Sequence, residues 1–385
     1  MSKGDILDGI GEEPIFDNFA EPPGVYIREE LEARGWSQRD LAFILGYSEQ
    51  TITKVISGKS GISAEMAKAL GEAFGTSASL WAGLQKEWEL REARDPDPSI
   101  KARAELQKNY PIREMISRGW LEEAEQSVLE MQFTRFFELE ANDNVRFAAA
   151  ARKPNDRHTA EEEAWLYRVR QLAREVDVPT YSVEKLRAAL PRLRALMVDA
   201  EDIRFVPEIL HECGVRFVIV EKLHNCKIDG VCTWIGDQPV IGMTIRHNRL
   251  DNFWFVLIHE IEHVLQGHGK NGDEIIDSNL DDPEAGDLAA DITEQEAVAD
   301  HAAKNFAFPN DKLVSFYRRK APYVAEKDVI GFSSLNEVHP AIVVGQIQFL
   351  KKDYAWLRRW LVAVRQHILP ASLVDGFGTV AKASL

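Results

Sequence analysis

The chain has 385 residues, 45% apolar and 28% charged, with a formal net charge of −16. That length calls for two or more domains with their own cores, and the acidity argues against broad, nonspecific nucleic-acid binding while leaving room for a small DNA-reading module with segregated charge. No apolar run reaches a membrane span of ~20 residues, and the acidic start MSKGDILDGIGEEP lacks a signal-peptide core, so the expected compartment is the cytoplasm.

Residues 1–21 read as an acidic tail. From Pro22 the pattern turns helical: Val25, Ile27 and Leu31 mark a first helix, Gly35 stops it and Ser37 caps the next. The second helix runs to about Leu45, Gly46 takes a tight turn, and Ser48 caps a third helix to about Ser57. Ser63 and Ser77 open a fourth and a fifth. The spacing of Gln38, Leu41, Ala42, Gly46 and Ile52 is that of a helix-turn-helix. Ala42 is small where the two helices cross, Gly46 permits the turn, and Ile52, Val55 and Ile56 dock the second helix on the core. Glu49, Gln50, Thr51, Thr53 and Lys54 then point outward behind Ser48. Gln reads adenine, Lys reads guanine or phosphate, and Thr serves either base edge or backbone; Gln38 is placed for a phosphate. The plainer alternative is a helical bundle with a wet polar face.

Residues 22–92 as a whole resemble the HigA-type antitoxins of the Cro/C1 (XRE) repressor class. The resemblance rests on PPGVYIREELEARGWSQRDLAFILGYSEQTITKVISGKSGIS and on GTSASLWAGLQKEWEL, with its Phe74-Gly75-Thr76-Ser77 and Leu80-Trp81 end. It implies an all-α domain, a double-stranded DNA operator as partner and a HigB-type toxin as a further candidate. Residues 22–90 depart from a basic DNA binder in holding seven Lys or Arg and nine Asp or Glu. One module of this charge has few phosphate contacts, so a homodimer on a palindromic site is expected.

RDPDPS marks a Pro-punctuated linker over residues 93–100. Residues 101–200 read as a helical connecting region. VRFVIV, the stretch around GVCTWI, and PVIGMTI are β-rich runs parted by turn residues, and they open a core over residues 201–320. Cys213, Cys226 and Cys232 form no C-x-x-C pair and read as reduced thiols. Between Asn271 and Asp300 stand eleven Asp or Glu and no Lys or Arg, a solvated acidic stretch by default. A helix is expected from about Thr293 to Phe308. Residues 321–385 read as helical, with the Leu, Ile and Trp stripe of PAIVVGQIQFLKKDYAWLRRWLVAVRQHIL taken as core.

The stretch that carries chemistry is IHEIEHVLQGH, residues 258–268, with three histidines and two glutamates. With Glu at roughly a tenth of positions, H-E-x-x-H is expected about 0.03 times by chance in such a chain, which makes the motif informative. Phe253, Val256, Leu257, Ile261, Val264 and Leu265 suit a buried helix, on which His259 and His263, one turn apart, leave the same face. A surface helix with histidines on its wet side is the bland alternative, but on so apolar a helix two imidazoles and a carboxylate would be buried unpaired. Two histidines need a third protein ligand and leave one position open for water. Glu294 and Glu296 both offer it; Glu296 is favoured because Asp300, one turn on, is placed to orient a ligating imidazole. Glu260 is placed to act on water instead of binding the metal.

Roughly residues 205–310 resemble the ImmA/IrrE family of zincin-like metallopeptidases, through the G-V-x-F-V-I-V strand, the Gly230 strand, PVIGM, WFVLIHEIEHVLQGH and E-x-x-x-D-x-x-x-x-x-F-x-x-P. The resemblance implies a mostly helical α+β domain with a small sheet, Zn²⁺ held by His259, His263 and Glu296, Glu260 as catalytic base, and an XRE-type repressor or antitoxin as protein substrate. His339 is a candidate oxyanion donor, although a histidine before a proline is more often a cap. The run Pro239–Ile245 is the expected sheet edge for an extended substrate. Two functions follow: a DNA-binding regulator that cleaves a repressor, or a regulator or antitoxin whose metal site is structural or senses a ligand without turnover.

Overall fold

The computed structural model describes residues 21–139, 158–270, 275–278, 294–376 and 379–381. The expected tail over residues 1–21 lies, but for its last residue, outside them, as does most of the acidic stretch before Glu294. The chain divides into two compact units, Met1–Asp97 and Pro98–Leu385. Among the described residues no helix is long and apolar enough to cross a membrane.

The first unit holds α1 (Pro23–Arg34), α2 (Gln38–Leu45), α3 (Glu49–Ile56), α4 (Ala64–Phe74) and α5 (Ala78–Glu92). Its boundaries are written in side-chain chemistry. Ser37, Ser48, Ser63 and Ser77 each accept a hydrogen bond from a backbone N–H inside the helix they open, and the Asp40 carboxylate answers Ser37 to complete a capping box. Gly46 ends α2 with φ +73°, a conformation that side chains other than glycine resist. Ile27, Leu41, Ile52, Leu70, Phe74 and Trp81 are buried in one core. The Trp81 indole spends its N–H on Thr76 Oγ1 at 2.8 Å, which accounts for the paired Thr and Trp at the domain's end.

The second unit is a sheet with helices on both faces. Its helices are α6 (Ser99–Asn109), α7 (Ile112–Ser117), α8 (Gln126–Phe136), α9 (Ala160–Arg174), α10 (Val183–Ala195), α11 (Val206–Glu212), α12 (Leu250–Gln266), α13 (Glu294–Phe306), α14 (Asn310–Lys320), α15 (Glu326–Leu335), α16 (Pro340–Lys351) and α17 (Arg365–Ile368). The strands are β1 (Arg216–Val220), β2 (Ile228–Ile235), β3 (Gln238–Met243), β4 (Ile275–Ser278), β5 (Leu373–Gly376) and β6 (Thr379–Ala381), in the order β4-β2-β3-β1-β5-β6. β1 runs parallel to β3 and β5, and the other pairs are antiparallel. Strand alternation sorts the core. Phe217, Ile219, Cys232, Ile241 and Met243 pack with α12 in one cluster, whereas Val218, Val220, Val231 and Val240 pack with α6–α9 in another. The three cysteines are buried and form no disulfide.

Three expectations are corrected. Pro239–Ile245 is no edge: β3 lies between β2 and β1, and among the described strands β4 and β6 are the outer ones. The C-terminal region is not helical throughout. α16 stops at Lys352 (φ +51°) because buried Gln348 binds the carbonyls of Tyr354 and Trp356, and β5 joins the sheet through pairing with β1, a contact distant in sequence, with β6 paired to β5. Nor is the connecting region over residues 101–200 helical throughout. It breaks after Ser117, where the Arg118 guanidinium reaches the carbonyls of Glu221 (2.7 Å) and Lys222 (2.5 Å).

β5 is latched by a buried charge. Asp375, fully buried, pairs with Arg168 and accepts from Trp120 Nε1 at 2.8 Å. Removing one partner of such a pair leaves the other charged in the core. Arg168→Met should therefore lower the unfolding free energy by about 3–5 kcal/mol in denaturant titrations; a loss below ~1 kcal/mol would show that Asp375 does not depend on it.

Candidate functional site

α12 carries the H-E-x-x-H motif across the sheet. Its apolar face, Phe253, Trp254, Leu257, Ile258, Ile261 and Val264, is buried, and this leaves His259, Glu260 and His263 in the interior as well, each 0% exposed. α13 packs beside it and supplies Glu296. His259 Nε2 lies 3.3 Å from Glu296 Oε2 and 3.0 Å from His263 Nε2, and His263 Nε2 lies 3.6 Å from Glu296 Oε1. One ligand atom from each of the three falls within 4.8 Å of the others. Glu294, the other candidate, is exposed two residues earlier.

The surroundings hold the imidazoles in a ligand-like state. His259 Nδ1 faces Asp300 Oδ1 at 3.3 Å, and Asp300 takes Lys304 Nζ at 2.7 Å. A proton on Nδ1 directs the Nε2 lone pair towards Glu296 and His263. Burial opposes ionisation of Asp300, yet its bonds from His259 and Lys304 outweigh this and hold its carboxyl below the usual range. Burial and the neighbouring His259 push His263 down to about 4, against the pull of Glu296, so it is neutral near pH 7. Two imidazoles and a carboxylate converging on one point form a donor set that suits zinc.

Glu260 stands against β2. A Cβ at Gly230 would lie 2.1 Å from Glu260 Oε1, so only glycine leaves room for this carboxylate. His268 was not assigned a role from the sequence, although it stands in the motif's own stretch. Its Nδ1 lies 2.8 Å from His263 Nδ1 and its carbonyl accepts from Trp234 Nε1 at 2.7 Å, which fixes the outer side of His263 as Asp300 does for His259. His339, the candidate oxyanion donor, is corrected to a cap: its Nδ1 accepts from the Ala341 N–H at 3.1 Å at the start of α16.

In the first unit the expected reading face is α3. Gln50 and Lys54 are exposed upon it, and Thr51 is half-buried. The other polar groups are partly engaged. Ser48 Oγ caps Thr51 N–H and meets Thr51 Oγ1 at 2.8 Å. Thr53 donates to Gln38 Oε1 at 3.1 Å, and Glu49 holds Arg39 at 2.7 Å.

A family model described as helix-turn-helix, HTH_3, matches residues 27–81. The uncharacterized HTH-type transcriptional regulator YddM of Escherichia coli (strain K12) is 34% identical over 71 residues, 18% of this chain and 76% of YddM. The chain belongs to the HTH_3 helix-turn-helix family. Virulence-associated protein A' of Dichelobacter nodosus is 35% identical over 69 residues, 18% of this chain and 60% of that protein. The solved structure of an addiction module antidote protein of a HigA family from Coxiella burnetii matches with 27% identity and a TM-score of 0.19, over 23% of this chain and 91% of that one. The family accounts for the first unit, a helix-turn-helix module of the DNA-binding regulator type.

The contact between Gly230 and Glu260 gives a direct test of the second unit's site. Gly230→Ala should cost about 1–3 kcal/mol by overpacking. In a Glu260→Ala background the same substitution should cost under ~1 kcal/mol, because the colliding carboxylate is gone. Equal costs in both backgrounds would place the steric conflict elsewhere.

Proposed function

We propose that the chain is a DNA-binding regulator whose second unit is a zincin-like zinc metallopeptidase of ImmA/IrrE type, acting on an XRE-type repressor or antitoxin. The observation that supports this best is the meeting of His259, His263 and Glu296, with Asp300 behind His259 and Glu260 beside the cluster on the same helix. His259, His263 and Glu296 would hold Zn²⁺, which when bound polarises a carbonyl and acidifies water. Glu260 takes the proton from the attacking water and returns it to the leaving amine. Asp300 and His268 keep the two imidazoles turned inward. A substrate segment would have to be extended to pair with a sheet edge, and among the described strands β4, which follows α12 in the chain, is the outer one on the β2 side.

On the DNA side, α3 enters a major groove of an operator, with Gln50, Thr51 and Lys54 nearest the bases and Gln38 near a phosphate. A homodimer supplies the second half-site, and a HigB-type toxin is a further partner that the resemblance of residues 22–92 supports. One observation favours the regulator without turnover: His259, Glu260 and His263 are all fully buried, and of the cluster only Glu296 keeps some exposure, 24%. In that reading the metal holds α12 to α13 as a structural or sensing centre.

Two measurements test these readings. Gln50→Ala with Lys54→Ala should weaken operator binding by ~1–3 kcal/mol for each good base interaction removed; unchanged affinity at fixed salt would reassign the recognition helix. The purified protein should carry zinc at about one ion per chain and lose it in His263→Ala. Glu260→Gln should keep the zinc while slowing chelator-sensitive cleavage of an XRE-type repressor, or of residues 1–92 of this chain, by ~10²–10⁴. Full zinc occupancy in His263→Ala would remove the site. Zinc with no fragments by mass spectrometry, in wild type as in Glu260→Gln, would leave the regulator without turnover.

A further inference from the structure

A second constructed feature lies at the opposite end of α12. A cavity of about 620 Å³ opens between the turn into α12 and the segment that follows α16, with His247, Arg249, Tyr354, Arg358, Leu361 and Val362 on its walls. That volume is in the range of small-molecule sites. The walls are fixed by buried polar groups. Gln348, 0% exposed, donates to the carbonyls of Tyr354 at 3.3 Å and Trp356 at 2.6 Å and accepts from Arg249 Nη2 at 2.9 Å. Across the mouth, Asn248 Oδ1 accepts from the N–H groups of Val364 at 3.0 Å and Arg365 at 2.8 Å.

The charge of this cavity runs against that of the chain. In a protein of net charge −16, its lining holds two arginines and a histidine and, among the described residues, no Asp or Glu. Arg249 is matched by Asp251, at 3.0 and 2.6 Å. Arg358 is exposed and has no acidic partner among the described residues. Leu361, Val362 and the Tyr354 ring add an apolar wall beside it.

We propose that this cavity binds a small organic anion, a carboxylate or phosphate monoester on an apolar body, with Arg358 as the charge partner. A guanidinium presents paired donors that match either group, and the apolar wall takes the remainder of the ligand. The site stands apart from the metal reading but touches its frame. Arg249 ties the cavity wall to Asp251 in the first turn of α12, and His259 follows Leu250 by nine residues, ~13 Å along a helix axis.

Titration calorimetry on the full chain at fixed salt tests the proposal, with phenyl phosphate, benzoate, inorganic phosphate and benzyl alcohol as probes. Phenyl phosphate or benzoate should bind saturably, benzyl alcohol should not, and Arg358→Ala should weaken the anion by about tenfold. Because Arg358 is exposed, that variant should melt as the wild type does. Binding by phenyl phosphate alone assigns a phosphate ligand, and binding by benzoate alone a carboxylate. The proposal is overturned by no saturable heat from either anion at ~10 mM, by equal affinity in Arg358→Ala, or by inorganic phosphate matching phenyl phosphate.

Discussion

Helix α12 lies so near β2 that the Glu260 carboxylate occupies the place of a Cβ at residue 230. Much of the second unit follows from that approach. It requires glycine on the strand, and it requires the α12-facing side of the sheet to be filled by Ile219, Ile241, Cys232 and Met243. It also carries two imidazoles into the interior with the carboxylate. A helix could not bury the two imidazoles without partners, and α13 answers with Glu296 and Asp300. A similar closeness recurs in the helix's first turn, where a Cβ at Gly345 of α16 would lie 1.8 Å from Asp251 Oδ2. α12 is thus approached by glycine backbone at Asp251 and at Glu260, and behind its rings stand Asp300 for His259 and His268 for His263.

What was legible in the sequence was whatever local chemistry decides. Ser37, Ser48, Ser63 and Ser77 start helices because a hydroxyl satisfies an N–H a few residues on, and Gly46 ends one because the left-handed turn disfavours a side chain. The H-E-x-x-H spacing was readable because one helical turn fixes which side chains share a face. The rest depended on contacts distant along the chain. β5 and β6 were missed because LVDG becomes a strand only against the open side of β1, and TVA only against β5. The end of α16 was missed because Gln348, which turns the chain aside, also carries an apolar-looking helix. His268 was in view but unread, because its role depends on where Trp234 of a neighbouring strand sends its N–H.

The two units use polar groups in opposite ways. Around the fully buried rings of His263 and His259 the polar neighbours Glu296, Asp300 and His268 are part-buried and turned towards them, so orientation is fixed before any ligand arrives. On α3 the hydroxyls of Ser48, Thr51 and Thr53 are held by exposed bonds to neighbours. In that exposed setting each bond contributes little and exchanges readily with water. Arg39 is shared in the same manner, since its partner Glu49 sits on α3 itself and is 57% exposed.

Charge sets the terms on which the first unit can meet DNA. Seven cations against nine anions over residues 22–90 leave little general attraction, and some of the cations are already committed. Arg34 is bound to Glu30 and to the Phe74 carbonyl, and Arg39 to Glu49. Beside the proposed reading face Lys59 remains for the backbone, so in that docking few counterions would be released per copy and affinity would fall only gently with salt. Base contacts by Gln50 and Lys54 would then carry a larger share of the binding energy than in a basic module. A weak, base-dependent module favours discrimination over occupancy, and in the proposed dimer two copies on a two-fold site would multiply the few contacts each one makes.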